Sequence, residues 1–496
     1  MAPMIKNTSP PACTCQRASF RRKFAAHGLL LVGFFLVLLL AGCLPTDRKS
    51  AGPLAELGHD EVNSARVSCF LTLKDREGPA IRLEIAGIEL LADSFELPLT
   101  RGPLTVESTA IGAGQIFLGG RAVPPGHYQR VRLTVTKREL QKADGQYAVV
   151  AGEPFQLEIG IDLTLEPEDS RSLFMTWDVQ DSLQPGPTLQ PVLTVNLPLR
   201  QLLRDLVFVS CPEIDTVFVV RADKNWVVDS FGLKGQPTYL AIDSDSSRQR
   251  LYGLATGDRM VKVVDLSSYR IMDFFPVPLN DDPTFMTISP DGQGAFLLDE
   301  RSGYLSRLDL NTGRIMARVL LGYRPKYLAY LNQQNLLAVS LSLSQRVLLL
   351  NPSNLSEVGT ILTGSSPEGL AAMDNQLYVA DFGDNTVDVA DLIGRGSQSR
   401  LTVGFGPRRL IATDNQIFVS NYLGGSLSVL VPGQLGVIQE IVGLGQPLEM
   451  AFDRFYRRLY VADEGTASLA VIDVNTNRLL GRIMLGAKPF GMAVIQ

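Results

Sequence analysis

Histidine is the side chain that proton-transfer catalysis near neutral pH uses most, and this chain has three: His27, His59 and His127. None lies beyond position 127, so the long C-terminal part runs no histidine-based acid–base or triad chemistry. His127 follows Pro124-Pro125-Gly126 and reads as an exposed turn residue. The oxygen-bearing residues are a richer set. Glu368, Glu449, Asp381 and the amide of Asn421 are donors of the kind calcium accepts. Arg408 and Arg409 fall between the two glutamates along the chain, and ion pairs account for that alternation more simply than a metal. Lys326, Glu368, Arg408, Arg409 and Glu449 share one more property: each stands one or two positions after a proline. Tyr422 adds an aromatic anchor. Cys69 and Cys211 lie in apolar runs, VSCFL and FVSCP; they are either one disulfide or two separate buried thiols. No C-x-x-C-H haem attachment and no glycine-rich phosphate loop occurs.

The prolines belong to a series. Pro237, Pro283, Pro325, Pro367, Pro407, Pro447 and Pro489 are separated by 46, 42, 42, 40, 40 and 42 residues. The third residue after each is Leu or Met, and the fourth is Ala in five of the seven. Each unit offers four short apolar or alternating runs, as in GLAAM (369–373), QLYVADF (376–382), TVDVADL (386–392) and SRLTVGF (399–405). Turn residues separate them. A sheet of four strands cannot bury both faces alone, whereas sheets set radially cover one another and leave few edges. This period therefore signals a β-propeller. Counting from Leu206, the first unit has three strands and lacks its first, while the chain ends at GMAVIQ (491–496), a first strand with nothing behind it. The expectation is a seven-bladed propeller over 201–496, closed by pairing of N- and C-terminal strands in one blade. On such a ring Lys326, Glu368, Arg408, Arg409 and Glu449 stand at the channel mouth. Asp381, Asn421 and Tyr422 come from loops on the same face.

LYVADFGDNTVDVADL (377–392) and LYVADEGTASLAVIDVNTNRLLGRIMLGAKPFGMAV (459–494) resemble the YVTN-type seven-bladed propeller repeats of bacterial and archaeal surface proteins. The resemblance covers 206–496 and implies a fold rather than an activity. The stretch 381–385 looks like a calcium loop, but it recurs as the turn consensus of that repeat family.

Upstream, Arg17, Arg21, Arg22 and Lys23 precede an apolar run from Leu29 to Leu40, followed by Leu40-Ala41-Gly42-Cys43. This is a secretory signal pattern over 1–42. The cysteine after Ala-Gly resembles the lipobox of bacterial lipoproteins, which implies lipidation at Cys43. Leu44 behind it fits delivery to the outer membrane of a Gram-negative bacterium. Residues 43–62 are polar with Pro and Gly and read as a tether. Residues 63–200 carry frequent β-branched residues in short alternating runs, which predicts a β-sandwich. VPPGHYQRVRLTV (123–135), WDVQDSL (177–183) and QPVLTV (190–195) resemble an uncharacterised domain of bacterial lipoproteins.

The formal net charge of -5 argues against nucleic acid as a partner. The expected protein is all-β, anchored in the cell envelope by its lipid. It needs no cofactor beyond the calcium weighed above. Its propeller is expected to be a non-enzymatic platform for a protein, peptide or glycan. The alternatives are a metal-dependent hydrolase of the propeller lactonase kind and an envelope assembly factor.

Overall fold

Six of the seven recurring prolines open a strand, and Pro489 stands three residues ahead of one. The computed structural model describes residues 63–75, 80–183, 189–198, 204–243, 245–277, 282–322, 324–394 and 396–495, and Cys43 lies outside them. The strands so opened are Pro237–Ile242, Pro283–Ile288, Pro325–Leu331, Pro367–Met373, Pro407–Ala412 and Pro447–Asp453, each the first of a four-stranded antiparallel sheet. A further sheet joins the chain end Met492–Ile495 to Leu206–Cys211, Thr216–Arg221 and Trp226–Gly232. We number this sheet one and the others two to seven in chain order. The innermost strands touch in succession, and Met492–Ile495 touches both Pro447–Asp453 and Pro237–Ile242, so the sheets close a ring.

Each of these six prolines faces the last residue of the second strand, as in Pro367↔Asp381, Pro407↔Asn421 and Pro447↔Asp463, and the register slips immediately after it. A proline tolerates that irregular start because it has no N–H to offer the ladder. The second strands are covered on both faces by neighbouring sheets; in Gln376–Asp381 and Arg458–Asp463 all but the first residue is buried. The outer strands meet water, and in Arg270–Pro276 only Phe275 is buried. An aspartate sets the turn into the outer strand. Asp265, Asp309, Asp391 and Asp473 accept the amides of Ser267, Asn311, Ile393 and Asn475 at 2.9, 2.9, 3.0 and 2.8 Å.

Among the described residues the N-terminal region has ten strands, from Ala65–Leu73 to Val192–Asn196, in two sheets. One runs Val192–Asn196, Ser170–Asp178, Ala65–Leu73, Gln115–Val123 in spatial order; the other is built on Ile81–Leu91 and the 16-residue strand Gly126–Gln141. Val67, Leu71, Leu173 and Trp177 of the first share a core with Ile81, Leu83, Ile85 and Leu133 of the second.

Successive side chains of a strand point to opposite faces. Along Ala65–Leu73, Val67, Cys69 and Leu71 enter the N-terminal core, while Phe70 turns toward the ring. It packs there on Phe174, Phe117 and Phe218, with centroids at 5.8, 5.5 and 6.1 Å. The same alternation rules out one of the two readings of these cysteines, the disulfide between Cys69 and Cys211. Cys211 belongs to the cluster that Phe70 joins, Cys69 to the core behind it, and both are free buried thiols. Burial pushes the Cys69 thiol up to about 12 and raises that of Cys211 as well. Polar contacts complete the junction. Gln115 bonds both the carbonyl and the amide of Val227, at 3.0 and 2.9 Å, and the Ser172 and Ser230 hydroxyls meet at 2.8 Å.

Candidate functional site

The second residue after each proline stands at one repeat position, and the five that carry side chains meet one another. The residues at that position are Tyr239, Phe285, Tyr327, Gly369, Arg409, Glu449 and Gly491. Three form an aromatic run, with Tyr239–Phe285 and Phe285–Tyr327 centroids at 4.1 and 4.3 Å. Arg409 of sheet six lies 4.9 Å over the Tyr327 ring of sheet four. The Tyr239 hydroxyl of sheet two donates to Glu449 Oε1 of sheet seven at 2.7 Å. Neither pair belongs to adjacent sheets, so these contacts cross the centre and fill it. Gly369 makes room, since a Cβ there would stand 2.7 Å from the Arg408 carbonyl oxygen.

Arg409 is the hub of the plug. Its Nε meets Glu449 Oε1 at 2.5 Å and its guanidinium meets Glu368 Oε2 at 3.2 Å, with all three side chains buried. Arg408 reaches the same Glu368 oxygen at 3.2 Å. Burial opposes the Arg409 charge, but Tyr239, Glu449 and Glu368 hold its proton well above the ordinary value. Burial and the neighbouring Glu449 raise the Tyr239 phenol in turn. Buried charges persist only when paired in this way.

The structure thus brings together four of the residues singled out in the sequence: Glu368, Arg408, Arg409 and Glu449. Lys326 goes elsewhere, to Glu300 at 2.7 Å. Tyr422 supports the edge of the cluster; Arg408 lies 4.6 Å over its ring and its hydroxyl donates to Glu464 at 2.8 Å. The calcium set of Glu368, Glu449, Asp381 and Asn421 is not assembled. Asp381 and Asn421 end second strands and turn into their own sheets, while the Arg409 guanidinium stands between the two glutamates. Among the described residues no group of three or more His, Cys, Asp or Glu side chains is placed to hold a metal ion.

At the repeat position of Asp381 and Asn421 the sheets differ. Asn421 donates to Ser426 and Ser428 at 3.0 and 2.9 Å. Asp463, its counterpart in sheet seven, accepts the amides of Gly445 and Gln446 at 2.9 and 2.8 Å and pairs with Arg482 at 2.6 Å. Burial pushes the Asp463 carboxyl up, but those amides and Arg482 outweigh it and hold it below the usual range. Asp381 has no such cation. The matching arginine, Arg400, is taken by Asp388 at 2.6 and 2.9 Å.

Two residues that sequence reasoning passed over complete the loop face. Phe405 and Leu423 are 58% and 50% exposed. They adjoin one another, since the Gly424 amide donates to the Phe405 carbonyl at 2.9 Å and the Tyr422 amide to Gly406 at 2.9 Å. The signal was an apolar residue in each of two turns, beside Pro407 and behind Tyr422, where the repeat needs none.

No protein-family model matches the chain, and no curated protein matches its sequence. Solved structures do match. One is a functionally unknown protein from Desulfotomaculum acetoxidans, 13% identical, with a TM-score of 0.52 over 59% of this chain and 99% of that one. The dihydro-heme d1 dehydrogenase NirN is 13% identical, with a TM-score of 0.48 over 60% of this chain and 77% of its own. Hydrazine synthase of Kuenenia stuttgartiensis is 14% identical, with a TM-score of 0.42 over 52% and 89%. The ring is a β-propeller. Likeness at this identity concerns the fold alone, and the chemistry of this propeller rests on its own residues.

Proposed function

We propose that this is a lipid-anchored protein of the bacterial cell envelope, attached through Cys43. Its seven-bladed, YVTN-like propeller, carried on an N-terminal β-sandwich, is a non-enzymatic platform that binds a protein or peptide partner on its loop face. The observation that carries the reading is the patch of Phe405, Leu423, Arg408 and Tyr422 beside the buried Arg409 cluster. Tyrosine and arginine, here Tyr422 and Arg408, are residue types in which binding hot spots are enriched, and the exposed Phe405 and Leu423 beside them add apolar area. Loops held on a rigid ring are where such sites sit. The plug beneath lends stiffness, so little ordering of the site opposes binding.

The hydrolase reading requires Glu368 and Glu449 to be free for a cation, and both are engaged by Arg409. The test is a crosslinking pull-down from the native envelope, comparing the wild-type chain with the Phe405→Ala/Leu423→Ala double variant. The expected result is a specific protein partner captured by the wild type and lost, by about tenfold or more, in the variant. An unchanged partner set moves the site off this face. Capture of glycan alone changes the partner class, and calcium-dependent turnover of a lactone replaces the platform by the hydrolase. In parallel, Cys43→Ser should release the protein from membranes.

A further inference from the structure

We infer that the buried carboxyl of Asp381, beside an Asp388 already held by Arg400, acts as a pH-operated latch on the loop-face segment 364–366 of sheet five. Asp388 is fully used: Arg400 grips it with two bonds, at 2.6 and 2.9 Å, and the Gly364 amide donates to Oδ2 at 2.9 Å. Asp381 approaches the same Gly364 and is also fully buried, with the Thr386 hydroxyl at 3.4 Å from Oδ2 and no donor for Oδ1. A buried carboxyl with an unpartnered oxygen and a carboxylate nearby favours its neutral form. The charged groups facing Asp381 are Asp388 on the third strand, Asp384 in the turn and Arg400 on the outer strand. One guanidinium therefore serves three carboxyls. Burial first, then the Asp388 charge, push the Asp381 carboxyl up to about 8, with Arg400 giving only partial relief.

The segment 364–366 rests on this pair. The Ser365 amide donates to Asp384 at 2.7 Å, and the Phe382 and Gly383 amides donate to the carbonyls of Ser366 and Ser365 at 3.1 and 3.0 Å. A Cβ on Gly364 would stand 2.8 Å from Asp381 Oδ2, so the backbone lies directly on the carboxyl. Ionising Asp381 places an uncompensated charge under that backbone, which favours opening. The folded carboxyl is raised above its value in the opened state. Closure is therefore strongest below the ordinary carboxylate pKa of about 3.9 and weakens as pH rises toward the folded value. The segment runs into Pro367 and Glu368, so opening acts on the rim of the channel plug.

The test is amide hydrogen exchange of 364–366 and 382–385 in the full chain, from about pH 5 to about pH 9. The expected protection factor falls by about tenfold per pH unit up to the folded pKa and then levels. Asp381→Asn, which copies the protonated acid, should give a flat profile. Asp388→Ala frees Arg400 for Asp381 and should flatten the profile as well. A wild-type profile that is flat, or one that Asp381→Asn does not alter, overturns the latch. So does calcium alone restoring protection at high pH, which would make the pair a cation site.

Discussion

Sheets five and seven have the same strand register and opposite electrostatics. Asp381 and Asp463 close the second strand in each, opposite Pro367 and Pro447. Arg400 and Arg482 occupy the same place on the outer strand, opposite Asp388 and Ala470. The third-strand residue differs, and with it the turn residue, Asp384 against Thr466, and the amides, which reach Asp463 in sheet seven but Asp388 and Asp384 in sheet five. Where the third-strand residue is alanine, the arginine reaches past it to the turn aspartate and holds it charged. Where it is aspartate, the arginine stops there, and burial and that aspartate push the turn aspartate up. Sheet six offers a third solution, the neutral amide of Asn421. A buried position in a repeat is thus set by the residue that decides who receives the cation.

The contrast gives opposite pH dependences. The stability owed to Asp463 is present above the ordinary carboxylate pKa and lost as pH falls through its depressed value. That owed to Asp381 is present in acid and lost as pH rises toward about 8. The largest expected effect comes from Arg482→Ala, which leaves a buried carboxylate unpaired. It should cost about 3 kcal/mol in denaturant unfolding at neutral pH, the low end for a broken buried pair because Arg482 is itself 22% exposed. A loss under about 1 kcal/mol would mean the two amides suffice. A smaller effect is expected from Ala470→Asp, which places sheet five's third-strand carboxyl opposite Arg482 in sheet seven. Crowding a buried site should cost about 2 kcal/mol, and the turn aspartate should move from below to above the usual carboxylate range. If Asp463 stays depressed in that variant, the third-strand residue is not the switch.

The ring was legible because its signal is one-dimensional. Proline, then Leu or Met, then Ala mark the inner strands, and six of those prolines do begin strands. The channel-mouth residues were legible for the same reason, since Glu368, Arg408, Arg409 and Glu449 were picked by their offset from proline. Their meaning was not. Tyr239 and Arg409 share a repeat position but no chemistry, and only closure brings them together. Alternation along VSCFL separates Cys69 from Phe70, but what lies across each face is a tertiary fact. Asp388 in TVDVAD looks like one more polar residue of a strand until Arg400 is set opposite it. Phe405 and Leu423 matter only through their exposure.

The account turns on two aspartates of one repeat position having opposite ionisation. Carboxyl NMR of the folded chain, titrated with assigned signals for Asp381 and Asp463, tests it most directly. Asp381 should ionise near pH 8, and Asp463 below the ordinary carboxylate value of about 3.9. Two titrations that coincide near that ordinary value would contradict it.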